Sequence, residues 1–460
     1  MQASTPVAAF AANTRETNDQ TRAQALIDWV RGDMLRLDMP AHREALRAGG
    51  PDFLTRAFRA AGALSADNAV TAITRLEECG GGSTGRKLLL SVAYAKSDPA
   101  LHHDLFVKFS RDFDDPLRDR ARFQMERETR FALLSRSPGF PIAVPACYFA
   151  DFHRASGTGV LITRRIDFGC GDIERHYEKC LDYDIPEPLQ HYRALVRALG
   201  RLAGSHRGGR LPDTVDRDFP FDPAELSVSK RDPYTPQQIR NRVARYADFA
   251  RTYPAILPDN IRCAAFIERL AEQAPRMVSL APAVRQWLAS EADYIALCHW
   301  NANADNAWFW AEDDGSIACG LMDWGHVSQM NVAMALWGCL SGAETGLWNA
   351  HLGELLQLFA GEFHHSGGPE LDVAELRLQL QAYAATMGLA WLLDAPPLIL
   401  AQLPDLSRVE SRCDDRFRNN EFARAQLHLM TTFLNLWETH DMEQLIHRLE
   451  GHPDTRAPGA

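Results

Sequence analysis

The chain lacks the cysteine pattern of a disulfide scaffold or a zinc site. Its nine cysteines are odd in number and scattered (Cys79, Cys147, Cys170, Cys180, Cys263, Cys298, Cys319, Cys339, Cys413), and no CxxC occurs. Reduced, mostly buried thiols are expected instead. It also lacks a basic excess: 49 Lys and Arg face 60 Asp and Glu, a formal charge of -11, with no basic stripe. A nucleic-acid partner is therefore not expected. No apolar run approaches the roughly 18 residues that would cross a bilayer, so no membrane partner is expected either. The start, Met1-Gln2-Ala3-Ser4-Thr5-Pro6, lacks the basic residues and apolar block of a secretory signal, and a cytoplasmic location is the expectation. Adjacent histidines at 102–103 and 364–365 lack the spacing that aims two imidazoles at one metal. No internal repeat or low-complexity tract is visible, and no feature fixes an oligomeric state.

What is present is an ordinary globular composition, 46% hydrophobic and 24% charged, in 460 residues. That length exceeds one hydrophobic core and predicts two or three units. Residues 1–20 are small and polar and read as a disordered N-terminus. Residues 21–70 read as an accessory helical segment: Ala25, Leu26, Trp29, Val30, Met34 and Leu35 recur at spacings of three and four. This predicts a helix from Thr21 to about Arg47, a break at Gly49-Gly50-Pro51, and a second helix from Asp52 to about Ala61. Residues 71–166 alternate as five strands, at Ala72–Glu77, Leu88–Tyr94, Leu105–Phe109, Ile142–Phe149 and Gly159–Ile166, with one helix over Leu117–Ser135. Residues 167–460 read as helical, apart from a small β insert at Tyr294–Cys298, Ala307–Trp310 and Ile317–Met322.

Four features occur in an order that carries chemistry. Gly80 to Gly85 links two strands, and the amides of Gly81, Gly82 and Ser83 in such a turn can approach phosphates closely. The basic pair Arg86-Lys87 follows it. Lys108 sits in the apolar strand Phe106-Val107-Lys108-Phe109, where a lysine is either an edge residue or aimed into a cleft. Glu128, twenty residues on, lies in the predicted helix and can hold that lysine by an ion pair; Glu126 competes for the role. Then comes His299-Trp300-Asn301-Ala302-Asn303-Ala304-Asp305-Asn306, followed by Met322-Asp323-Trp324-Gly325. By side-chain role this is an orienting His, a polar residue two further on, and an Asn five beyond that. A kinase arranges its catalytic and magnesium loops in this way, as His-x-Asp-x-x-x-x-Asn and then Asp-x-Gly. Asn306 and Asp323 offer the hard oxygen ligands that suit Mg²⁺.

On these residues the chain resembles the aminoglycoside-phosphotransferase and choline-kinase-like group of small-molecule kinases, particularly its ecdysteroid-kinase-like branch. The resemblance covers roughly residues 74 to 345. Leu105-Phe106-Val107-Lys108 and Arg127-Glu128-Thr129-Arg130-Phe131 are similar to that branch's lysine strand and glutamate helix. Phe140-Pro141-Ile142-Ala143-Val144-Pro145 and Gly159-Val160-Leu161-Ile162 resemble its fourth and fifth strands, and Leu202-Ala203-Gly204-Ser205-His206 its Leu-Ala-x-x-His helix, whose His is structural. The resemblance implies an α+β, bilobal protein-kinase-like fold. Its N-lobe would be a five-stranded antiparallel sheet with one helix, its C-lobe mainly helical. It implies ATP and Mg²⁺ as cofactors and phosphorylation of a small-molecule hydroxyl substrate. Phosphate binding would fall to Lys108, metal binding to Asn306 and Asp323, and base duty to position 301, with His299 orienting the loop.

Two departures stand out. The usual His-Gly-Asp is His299-Trp300-Asn301, and the Asp-Leu pair after the metal loop is replaced by Met334-Ala335-Leu336. An amide is no base at neutral pH. The expectation is a slow kinase with an atypical catalytic loop or, as the alternative, a pseudokinase that binds nucleotide and serves a regulatory role. Asp305 and His326 are the candidates to stand in as base. Trp300, a bulky ring in place of a small residue, is expected to narrow the acceptor pocket or to stack on a ring-containing ligand.

Overall fold

The computed structural model describes residues 27–80, 85–118, 122–226 and 234–451. The N-terminal stretch 1–20 lies outside them. Where a helix was expected from Thr21 to Arg47, the chain instead forms a two-stranded ribbon, β1 (Trp29–Arg31) against β2 (Asp38–Pro40). Of the residues whose spacing mimicked a helical period, Trp29 and Val30 lie in β1 and Met34 and Leu35 in the turn after it, while Ala25 and Leu26 lie outside the described residues. A helix, α1 (Arg43–Ala60), follows and runs through Gly49-Gly50-Pro51 with a kink at Gly50 (φ 55, ψ -155).

Next comes the five-stranded antiparallel sheet: β3 (Val70–Glu78), β4 (Lys87–Tyr94), β5 (Asp104–Phe109), β6 (Cys147–His153) and β7 (Thr158–Arg164), in the order β3-β4-β5-β7-β6. Its two faces have different partners. Leu88, Leu90, Val92, Leu105, Val107 and Phe109 pack with Leu46, Phe53, Leu54 and Phe58 of α1 in one core. On the other face lies α2 (Gln124–Leu134), whose Met125 packs with Cys147, Ala150, Phe152 and Leu161. Alternation along β5 therefore sends Lys108 to the α2 side, away from the apolar core.

The C-terminal part is helical around a second, larger core. Its spine is α3 (Pro188–Arg207), packed against the helix Thr345–His365. The β insert comprises two antiparallel pairs: β8 (Ile295–His299) with β11 (Val327–Asn331), and between them the hairpin β9 (Ala307–Ala311) with β10 (Ile317–Leu321). β11 was not foreseen, because its partner β8 lies about thirty residues upstream and its own sequence, Val-Ser-Gln-Met-Asn, is too short to carry a period. The helical stretch Val373–Gln402 contains an 18-residue window long and apolar enough for a membrane span (mean hydropathy 1.4), which the sequence reading did not pick out; 56% of that window is buried in this lobe.

The amino-terminal ribbon is tied to the sheet by Asp151 of β6, which is fully buried. Its carboxylate accepts hydrogen bonds from the backbone amides of Met34, Leu35 and Phe152, at 2.9, 2.9 and 2.8 Å. Removing the carboxylate strands several N–H donors, each costing about 1–3 kcal/mol when buried. Asp151→Ala is therefore expected to lose at least about 2 kcal/mol of stability, read as a lower urea midpoint. A loss under roughly 0.5 kcal/mol would contradict the tie.

Candidate functional site

Lys108 is 3% exposed, and a buried ammonium must be paired. Its Nζ donates to Glu128 Oε2 at 2.7 Å and to Asp323 Oδ1 at 3.1 Å. Glu128 is itself buried on α2, whereas 42% of the Asp323 side chain reaches solvent. Burial by itself pulls the Lys108 pKa down, but the two carboxylates outweigh it and the net shift is upward. Burial likewise works against the Asp323 carboxylate. The Lys108 charge and hydrogen bond prevail there and hold it below the usual range. Glu126, the competing candidate, points elsewhere and pairs with Arg130 at 2.9 Å and Arg154 at 3.5 Å.

The loop after β8 is built around His299, which has no exposed surface. Its Nδ1 accepts from the Asn301 amide at 3.0 Å and its Nε2 lies 2.9 Å from the Met322 carbonyl. An amide can only donate and a carbonyl only accept, so the ring is the neutral Nε2–H tautomer. Burial lowers its pKa to about 4, in agreement. The ring thus staples the Asn301 loop to the Asp323 loop. Two further bonds close the same loop: Asn306 Nδ2 donates to the Asn301 carbonyl at 2.8 Å, and the Met322 amide donates to the Asn306 carbonyl at 2.9 Å. Below the loop the helix Val332–Leu340 leaves no room: a Cβ on Gly338 would sit 1.5 Å from the Trp300 carbonyl oxygen.

An aromatic column joins this loop to α2. Phe131 stacks on Trp324 with centroids 3.7 Å apart and planes 17° from parallel, and Trp324 lies 4.4 Å from the His299 ring. Phe131 is one helical turn from Glu128, so the column fixes the helix that presents the carboxylate. Asp323 occupies the left-handed region (φ 61, ψ 65) without being glycine. Such a conformation costs about 1–3 kcal/mol and persists where the surroundings over-determine it.

The residue types fit Mg²⁺. The Asp323 carboxylate and the Asn306 side-chain oxygen are both hard donors, and Asn306 uses its amide nitrogen, not its oxygen, to bond the loop. Among the described residues no group of three His, Cys, Asp or Glu side chains could hold a metal by itself. A divalent ion held by Asp323 and Asn306 would have to complete its shell with ligand oxygens and water.

The other expected residues are placed as follows. Asn301 makes no side-chain hydrogen bond to the described residues, and its main chain carries the His299 and Asn306 contacts. Asp305 lies 3.9 Å from Lys179 Nζ, with burial pushing its carboxyl up. His326 is exposed beside the Trp300 ring, 5.9 Å away, and the Trp300 indole N–H donates to Tyr383 Oη at 2.9 Å. His206 is structural, as expected: its Nδ1 accepts from the Leu297 amide at 3.1 Å. Gly81, Gly82 and Ser83 lie outside the described residues. The sequence reading missed Lys179 and assigned no role to Lys87, which stands across the ladder from Lys108. Strand register was the signal, since residues directly opposed in an antiparallel pair share a face.

Neither a protein-family model nor a curated protein matches the sequence. Among solved structures, the chain is similar to an ethanolamine kinase of Plasmodium vivax, at 12% identity over 78% of this chain and 81% of that one, with a TM-score of 0.39. It is similar to a choline kinase of Cryptosporidium parvum (10%, 82% and 90%, 0.37) and to an aminoglycoside phosphotransferase of Streptomyces rimosus (18%, 69% and 93%, 0.32). With TM-scores this low, the functional reading rests on the side-chain geometry above.

The buried histidine makes a pH prediction. An unfolded histidine titrates near 6.5 and His299 only near 4, so the unfolded chain takes up this proton first. Its contribution is fully present above about pH 6.5 and falls away toward pH 4. Between about pH 7 and pH 4.5 this residue accounts for about 2–3 kcal/mol. Urea unfolding of His299→Gln should lose less stability over that interval than the unsubstituted protein does. Equal losses would contradict the assignment.

Proposed function

We propose that the chain is an ATP- and Mg²⁺-dependent phosphotransferase acting on a hydroxyl of a small molecule. The observation that carries this reading is Lys108 bridging Glu128 and Asp323 between the two lobes, beside a loop that presents Asn306. Phosphoryl transfer has a loose transition state and depends mainly on positioning and charge neutralisation. Lys108, locked by Glu128, supplies a fixed positive charge for the α- and β-phosphates. Bound Mg²⁺, held by Asp323 and Asn306, would neutralise further phosphate charge. His299 keeps both loops at a fixed separation without titrating at neutral pH.

Asn301 occupies the place of the base. Its amide oxygen can accept a hydrogen bond from the acceptor hydroxyl and align it, but cannot take the proton. General base catalysis contributes about 10²–10⁴-fold, so its absence slows transfer without removing the nucleotide site. The same residue favours a second reading, a pseudokinase that binds nucleotide and serves as a regulatory protein.

ATP consumption against a panel of small hydroxyl compounds separates the two. Lys108→Ala should lower kcat/KM by at least roughly 100-fold, as expected for loss of a principal phosphate-binding charge. Asn301→Asp should raise turnover by about tenfold or more. Nucleotide binding without turnover in the unsubstituted protein, with turnover appearing in Asn301→Asp, would establish the pseudokinase reading. Absence of nucleotide binding would refute both.

A further inference from the structure

Lys87 opens β4 two residues after Gly85, and its register partner on β5 is Lys108. Directly opposed residues of an antiparallel pair project from one face, with Cβ atoms about 4.5–5.5 Å apart. The burial pattern agrees. Leu88, Leu90 and Val92 enter the α1 core, so Lys87 lies on the opposite face, the one that carries Lys108. Two ammonium groups therefore face a single cleft.

Like charges placed directly opposite destabilise a sheet. Lys108 is compensated by Glu128 and Asp323. The Lys87 side chain is partly buried, yet among the described residues its ammonium has no hydrogen-bond or ion-pair partner. Its neighbour Arg86 faces another way and pairs with Asp112. Burial, then the Lys108 charge, shift the Lys87 pKa down, while the Asp323 and Glu128 carboxylates oppose this. Lys87 thus lies within electrostatic reach of the whole constellation. The protein holds a partly desolvated cation directly opposite another cation, an arrangement that an anion entering the cleft would relieve.

We infer that Lys87 is a second phosphate-binding cation of this cleft, contacting a phosphate of the nucleotide beside Lys108. The inference rests on the nucleotide reading above and adds a residue to it. Gly85, in the turn that leads to Lys87, has φ 98, and a Cβ there would meet the Phe109 carbonyl oxygen at 2.0 Å. Gly85, two residues before Lys87, is therefore held against the end of β5, next to Lys108.

The test is calorimetric binding of Mg-ATP, Mg-ADP and adenosine to the full chain, to Lys87→Met and to Lys87→Arg, with melting temperatures taken without ligand. Lys87→Met should lose roughly tenfold or more in affinity for ATP and ADP, the equivalent of one charge-assisted hydrogen bond. It should keep its adenosine affinity and melt no lower than the unsubstituted chain. Lys87→Arg should retain most of the ATP affinity. ATP and ADP affinities within about twofold of the unsubstituted value in Lys87→Met would overturn the proposal while leaving the nucleotide reading intact. An equal loss for adenosine together with a lower melting temperature would overturn it as well, by showing a merely structural role. If the unsubstituted chain bound none of the three ligands, the nucleotide reading and this inference would fall together.

Discussion

The structure depends on one buried ammonium. Lys108 lies where water is excluded, and an isolated charge there would cost several kcal/mol. It is tolerated because Glu128 and Asp323 converge on it, one from a helix twenty residues away and one from a loop 215 residues away. Removing either carboxylate leaves an uncompensated charge, a change typically costing about 3–5 kcal/mol when a buried pair is broken. The interaction therefore joins three elements of two lobes and sets the approach of the sheet to the helical half. Its stabilising effect is modest. On the proposed function, it fixes where an incoming phosphate would find its positive charge.

The second constraint is the staple at His299. A ring that accepts from one loop and donates to the next must be neutral, and burial keeps it so. Trp324 packs against that ring and Phe131 against Trp324, so the staple continues into α2 and reaches Glu128. A shift of the Asp323 loop would disturb the ion pair directly through Asp323 and indirectly through the helix. The strained backbone of Asp323 sits at the junction of the two, held in place by both.

Much of this was legible in the sequence because it is local. Alternation marked the strands of the sheet, and the spacing from His299 to Asn306 and on to Asp323 marked the loop. Lys108 stood out as a charge within an apolar strand. What stayed hidden depends on distant partners. Trp29, Val30, Met34 and Leu35 fall at helical spacings, yet their segment is a ribbon because the Asp151 carboxylate captures the amides of the turn. β11 exists because β8 is there to pair with it. Glu126 and Glu128 are indistinguishable by spacing, and only the orientation of α2 selects Glu128. Lys87 was only the second half of a basic pair with no assigned role until register placed it opposite Lys108.

On the proposed reading, Asn306 and Asp323 hold a divalent ion whose shell is completed by a nucleotide anchored on Lys108. Electron paramagnetic resonance of Mn²⁺, used in place of Mg²⁺, addresses it directly. Two protein oxygens hold a divalent ion weakly, and nucleotide phosphates complete its shell. Mn²⁺ should therefore stay largely free with the protein alone and become bound when ATP is added. Asp323→Asn should abolish that protein-bound signal. Tight Mn²⁺ binding without nucleotide, or a signal unchanged by Asp323→Asn, would contradict the account.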